Sequence, residues 1–167
     1  GGLAQRNIAA VVSLPADLIV FDAPQQNASL SYDDSQVTRA QQDVWARAAG
    51  VQSSRPLGIM QARMETSDRS TTLTLFGAGT GLSADQTKTD GTVAVPTTTA
   101  TALKVHAGDT VSVLGETFTV AKVTPDNWYS HMSVGWITAS DWQMLEKRMG
   151  VSNPFASVLV VKKSGSV

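Results

Sequence analysis

Near each end of the chain an apolar, strand-like run is coupled to an amphipathic helix, and the stretch between alternates with the two-residue period of β-structure. "DLIVF" (Asp17–Phe21) is a short run of β-formers and reads as a buried strand. "APQQNASLSYDD" follows as a loop. A helix then starts near Ser35 or Thr38, because Thr38 and Gln41 have capping-box spacing. Val37, Ala40, Val44 and Ala48 fall on one face with Trp45 beside them, and Gly50 stands where a C′ residue would. "RPLGIMQARME" and "STTLTLFGAG" read as strands joined by the turn "TSDR".

The middle has its own character. Gly77 to Gly91 is rich in Gly, Thr, Ser and Asp and reads as an exposed loop or lobe boundary. "TVAVP" is a short strand, and "TTTATALKV" a short helix with Ala100, Leu103 and Val105 facing inward. Two strands meet at Gly115, with Val111, Val113, Phe118 and Val120 on their apolar face. "SDWQMLEKRMG" predicts a helix with Ser140 as N-cap, Gln143 at N3, a buried stripe of Trp142, Leu145 and Met149, and Gly150 as its stop. "FASVLVVKK" is the last strand. Without the β-rich insert a β-α-β…β-α-β pattern remains, the split βαβ plan. The expected fold is α+β: a ferredoxin-like (porter-type βαβ/βαβ) lobe from residues 8–78 and 137–165, with a small β-rich lobe, 79–136, inserted. Residues 1–7 and 164–167 read as linker or engineered ends. A chain of 167 residues accommodates one domain or two small lobes sharing a core.

Charge narrows the functional classes. Charged residues make up 16% against roughly 25% for an average domain, and Lys and Arg are scattered singly in a chain of net charge −1, so nucleic acid is not an expected partner. The absence of cysteine excludes disulfides, thiol catalysis and Cys-containing metal sites. No run reaches the roughly 18 apolar residues of a membrane span, since "IAAVVSLPADLIVF" is broken by Pro15 and Asp17. The start "GGLAQRN" has no leader, and with "KKSGSV" it suggests a soluble piece cut from something larger.

Motifs for chemistry are scarce. No G-x-S-x-G precedes a helix, and "GAGTGLS" (Gly77–Ser83) lacks the spacing and the helix of a phosphate cradle. "YDD" (Tyr32–Asp34) reads as capping carboxylates, "GDT" (Gly108–Thr110) as a tight turn in which Asp109 bonds nearby amides, and His106 as a cation at a helix end. No catalytic residues, resident cofactor or metal site are expected. What remains is "DNWYSHMSVGW" (Asp126–Trp136), with "GIMQARME" beside it. On one reading Trp128, Tyr129 and Trp136 form a packing cluster, His131 is a turn residue and Met132 a gap-filler. On the other, Tyr129, His131, Met132 and Trp136, with Met60 and Met64, bind haem or another hydrophobic chelate. Adjacent strand residues point to opposite faces and rarely share one ligand atom.

"VAVPTTTATALKVHAGDTVSVLGETFTVAKV" (Val93–Val123) resembles the insert of extracytoplasmic domains in MacB/FtsX-type ABC transporter permeases. The matching positions are Ala102, Leu103, Val105, Gly108, Asp109, Val111, Gly115, Phe118, Val120 and Val123. "LPADLIVFDA" and "SLSYDDSQVTRAQQDVWARAAGV" look like the other half of such a domain, and "WYSHMSVGWITASDWQ" is most similar to the haem-exporter and DevC-like subgroup. The resemblance covers nearly the whole chain. It implies a MacB-like periplasmic core domain of a permease subunit, on the extracytoplasmic side of a bacterial cell membrane and between two membrane helices. Such a domain is not an enzyme. It couples ATP hydrolysis by a cytoplasmic ABC ATPase subunit to export of a substrate, haem or another hydrophobic compound, or to mechanotransmission, alongside a second permease subunit. Both chain ends should then lie together. The alternative is a free-standing extracytoplasmic haem or small-ligand binding protein.

Overall fold

The computed structural model describes residues 3–6, 14, 16–22 and 35–165. In chain order the elements are β1 (Leu3–Arg6), β2 (Leu18–Asp22), α1 (Arg39–Ala46), β3 (Val51–Glu65), β4 (Ser70–Ala78), β5 (Thr92–Pro96) and α2 (Thr97–Leu103). They continue with β6 (Thr110–Val113), β7 (Glu116–Thr124), β8 (Trp128–Tyr129), β9 (Met132–Thr138), α3 (Ala139–Arg148) and β10 (Val158–Lys163). The "APQQNASLSYDD" loop and "YDD" lie outside the described residues.

The strands follow the order β1-β2-β10-β3-β4-β9-β5-β7-β6, with β8 against β9. This is a mixed sheet with few helices, the α+β class read from the sequence. Two crossovers are interleaved in it. β2 and β3 are both antiparallel to β10, which lies between them, so the β2-α1-β3 unit is split. β9 runs parallel to β4, and β4 and β10 are both antiparallel to β3, so β9-α3-β10 is a second parallel crossover.

β3 organises the molecule. Its first half pairs with β10 and its second half with β4, and at its far end Met64 and Glu65 also pair with Val113 and Ser112 of β6. That last pairing joins the two ends of the path β3-β4-β9-β5-β7-β6 and closes six strands into a barrel. A barrel this narrow has its interior filled by side chains. Met60, Met64, Leu73, Leu75, Val93, Val95, Val111, Val113, Phe118, Val120 and Ile137 form one buried cluster, completed by Ala100 and Leu103 of α2 and by Trp142 and Leu145 of α3. Ile59, Phe76, Tyr129, Val134, Trp136 and Val158 form a second cluster, which alternation along β3, β4 and β9 places on the opposite face. The inward positions expected on α2, β6 and β7 are all buried.

Trp142 is seated by an absence. Gly58 of β3 and Gly77 of β4 are cross-strand partners, and the indole lies across both. A Cβ on Gly58 would stand 2.7 Å from Trp142 Cε3 and nearer still to other ring atoms, and one on Gly77 would stand 2.8 Å from Trp142 Cγ. The paired glycines make a slot in which a fully buried tryptophan lies against the strand backbone.

Several local expectations need correction. The capping box at Thr38 and Gln41 forms, but α1 has no buried residue, with Ala40 exposed and Val44 65% exposed. The helix lies on the edge of β3 through half-buried Trp45 and a hydrogen bond from Gln42 to the Ser54 carbonyl, 3.0 Å. Its C-cap is Arg47, so Gly50, at φ 79°, turns the chain into β3 and is not the C′ residue. In α3 the N-cap is Thr138, because β9 runs directly into the helix. Gly150 does stop the helix, as the C′ residue after the C-cap Met149: its N–H donates to the Lys147 carbonyl and that of Val151 to the Glu146 carbonyl, both at 3.0 Å. Met149, however, is 48% exposed and leaves the buried stripe. Glu146 joins Trp142 and Leu145 on the buried side, while Gly150 reverses the chain at φ 93°. The loop between β4 and β5 is not wholly exposed, since Leu82, Gln86 and Thr87 are buried. Gln86 accepts from the Leu82 and Ser83 amides and donates to the Gly79 carbonyl, so the loop folds around it.

The chain ends, expected to lie together, do not do so among the described residues. Leu3 is level with Asp22, whereas Val161 is level with Leu18, so β1 enters and β10 leaves at opposite ends of β2. The start of β2 and the end of β10 do lie together. Asp17 donates its N–H to the Val161 carbonyl at 2.9 Å, and its carboxylate accepts the Lys163 amide at 2.7 Å.

Candidate functional site

"DNWYSHMSVGW" folds as a β-hairpin that leads back into the barrel. Trp128 pairs with Ser133 and Tyr129 with Met132, leaving Ser130 and His131 as a two-residue turn with φ of 53° and 64°. Positive φ at both central positions marks the turn type whose twist matches the flanking strands. Asp126, before the hairpin, accepts from the Thr98 amide and hydroxyl at 3.0 and 2.7 Å and so ties the segment to α2. Ser133, buried after the turn, shares a 3.1 Å hydrogen bond with the Thr99 hydroxyl.

The six residues singled out for ligand binding separate into three environments. Tyr129 and Trp136 are buried together and meet Phe76 edge to face, with ring centroids 5.8 and 5.2 Å away. Met60 and Met64 are buried in the barrel interior, on the other side of the sheet. His131 is exposed at the tip of the turn, and Met132 is half-buried beside it. Trp128, 53% exposed, takes no part in the aromatic cluster. The packing side chains and the exposed turn are thus distinct.

Polar groups tie the neighbouring elements. The Asp90 carboxylate accepts from the Thr138 and Ser140 hydroxyls at 2.6 and 2.7 Å, and these two bonds, Thr138 first, hold its pKa below the usual aspartate value. Asp141 accepts the Gly91 amide at 2.7 Å, so the loop before β5 is fastened to the start of α3. At the other end of that helix Arg148 pairs with Glu116 at 2.7 Å and donates to the Leu114 carbonyl at 2.8 Å. Asp109 accepts the His106 amide at 2.8 Å, the turn bond expected from the sequence.

Two open hollows escaped sequence reasoning, the first because folding brings its two loops together, the second because a loop's own curl is not written in its composition. One, of about 450 Å³, lies at the barrel mouth between Thr66, Asp68, Arg69, Lys104, Asp109 and Thr110. The other, of about 640 Å³, lies within the loop from Thr80 to Lys88. Among the described residues no three His, Asp or Glu side chains are grouped to hold a metal. No helix among them is long and apolar enough to cross a membrane.

No family model and no curated protein sequence matches the chain. Solved structures do. The periplasmic region of MacB from Actinobacillus actinomycetemcomitans superposes with a TM-score of 0.63 over 89% of this chain and 75% of that one, at 15% identity. The extracellular domain of the noncanonic ABC-type transporter YknZ from Gram-positive bacteria superposes with a TM-score of 0.59 over 78% and 74%, at 17% identity. The chain has the fold of these domains.

Proposed function

We propose that this chain is the extracytoplasmic domain of an ABC transporter permease subunit, non-catalytic in itself. In this reading it couples ATP hydrolysis by a cytoplasmic ATPase subunit to export or to mechanotransmission, and the intact transporter holds a second permease subunit. The observation that carries the reading is a fold shared, over most of the chain, with extracytoplasmic domains of two ABC-type transporters. Within this reading residues 8–78 and 137–165 contribute the porter-like lobe and 79–136 the β-rich insert, which closes into a barrel with β3 and β4. Residues 3–6, expected as linker, are the strand β1 paired with β2, while 164–167 remain as linker.

The haem-exporter resemblance makes haem or another hydrophobic compound the proposed cargo. The exposed His131 and half-buried Met132 are the accessible part of the binding set. Tyr129, Trp136, Met60 and Met64 would reach a ligand only if the core opened.

The test is to express the full-length gene product, extract it from membranes in detergent and assay what accompanies it. Recovery in the membrane fraction with an ABC ATPase subunit and vanadate-sensitive ATP hydrolysis is expected. Recovery from the soluble fraction without an ATPase would overturn the reading. Titration with haemin, watching for a Soret shift abolished by His131→Ala, decides the cargo separately.

A further inference from the structure

β3 is the one strand among the described residues that belongs both to the basal sheet, β2-β10-β3, and to the barrel. Fifteen residues at about 3.3 Å each make it roughly 50 Å long. Its partner changes part-way along. β10 pairs with it as far as Leu57, and β4 takes over on the other side at Gly58. Pro56, with no N–H to give, sits just before the change, beyond the reach of the pairing with β4. A strand that loses one neighbour, contains a proline and a glycine separated by a single leucine, and joins two layers is where a fold would bend.

We infer that this junction is locked, so that the basal sheet and the barrel move as one rigid lever. The lock has two parts, one on the β10 edge of β3 and one on a face of the β3–β4 pair. Ser157, just before β10, accepts the Ile59 N–H on its hydroxyl at 2.8 Å and donates that hydroxyl to the Ile59 carbonyl at 3.2 Å. Its own N–H donates to the Leu57 carbonyl at 2.9 Å. One fully buried serine thus carries the hydrogen-bond ladder two residues beyond the end of the paired strand. The second part is Trp142, whose indole bridges Gly58 and Gly77 where the pairing of β3 with β4 starts and fills the space into which the strands would fold. α3, which carries it, is held at both ends, by Asp90 and Gly91 at its start and by Glu116 and Leu114 at its finish. The other face of the junction is filled by Leu57, Ile59, Phe76 and Val158. A bend in either direction must break a buried hydrogen bond or unseat a buried ring.

The rigidity is a property of the fold and is tested apart from the transporter reading. The chain has no cysteine, so spin labels can be placed in pairs without background. Lys163→Cys with Ser67→Cys spans base to tip, and Ser67→Cys with Ala121→Cys lies within the barrel as a control; all three positions are exposed. Pulsed electron-spin distance measurement should give the base-to-tip pair one narrow distribution, no wider than the control. Adding Ser157→Ala should at least double the base-to-tip width and leave the control unchanged. A parent distribution that is broad or bimodal for base to tip alone overturns the inference whatever the variant does. So does an unchanged width in Ser157→Ala, with Trp142→Leu as the second variant where the serine substitution does not fold.

Discussion

Gly58→Ala adds one methyl group where the structure has no room for it. The new Cβ would lie within 3.0 Å of the fused-ring carbons of Trp142, a distance real side chains do not tolerate. The neighbour cannot give way as a flexible tip would, because Trp142 is fully buried with Leu145 beside it on the helix. Overpacking of this kind costs about 1–3 kcal/mol, and a ring that must move as a unit belongs at the upper end. Against that, alanine relieves about 0.5–1 kcal/mol of the entropy cost of a strand glycine. The net expectation is a loss of about 2 kcal/mol, read from urea unfolding followed by far-ultraviolet circular dichroism. The decisive measurement is a double-mutant cycle with Trp142→Leu, in which the alanine should cost at least about 1 kcal/mol less once the indole is gone. A Gly58→Ala protein within about 0.5 kcal/mol of the parent, or a coupling of zero, would refute the slot. Gly77→Ala offers the same test from the facing strand.

Other substitutions probe the remaining assignments. Met64→Ala, in the barrel interior, should lose about 2–5 kcal/mol in the same assay, whereas His131→Gly, at a turn position with φ 64°, should be neutral or stabilising. Thr38→Ala removes the capping box of α1 and should cost about 1 kcal/mol. Asp90 is ionised more readily in the folded chain than in the unfolded one, so its contribution is present above the unfolded pKa and fades as pH falls through the folded value. Asp90→Asn should therefore flatten the acid limb of the stability profile below about pH 4 and change its shape little near neutrality. Removing the partly exposed Arg148–Glu116 pair through Glu116→Gln should cost no more than about 1 kcal/mol, and less in high salt.

Reading the candidate site from sequence went as far as local chemistry allows. The hairpin residues were identified, and the inward or outward sense of Val111, Val113, Phe118 and Val120 followed from alternation alone. What failed was the grouping of Met60 and Met64 with Tyr129 and Trp136. All four are buried, but the register that puts Trp136 beside Phe76 on one face puts the methionines on the other. Ser140 misled for a related reason: a good capping residue was legible, but not that β9 would run on to Thr138 and cap the helix two positions earlier.

The sequence by itself determined the main elements and their order, though not β1 at Leu3–Arg6, because capping boxes, two-residue alternation and turn glycines act between residues a few positions apart. Only the tertiary structure decided that β3 and β6 meet to close a barrel and that Ser157, 98 positions from Ile59, continues its ladder. It alone made two glycines on different strands into a seat for a tryptophan on a third element. Each of these is a contact between distant segments. Its energy depends on register and shape, which no short window of residues encodes.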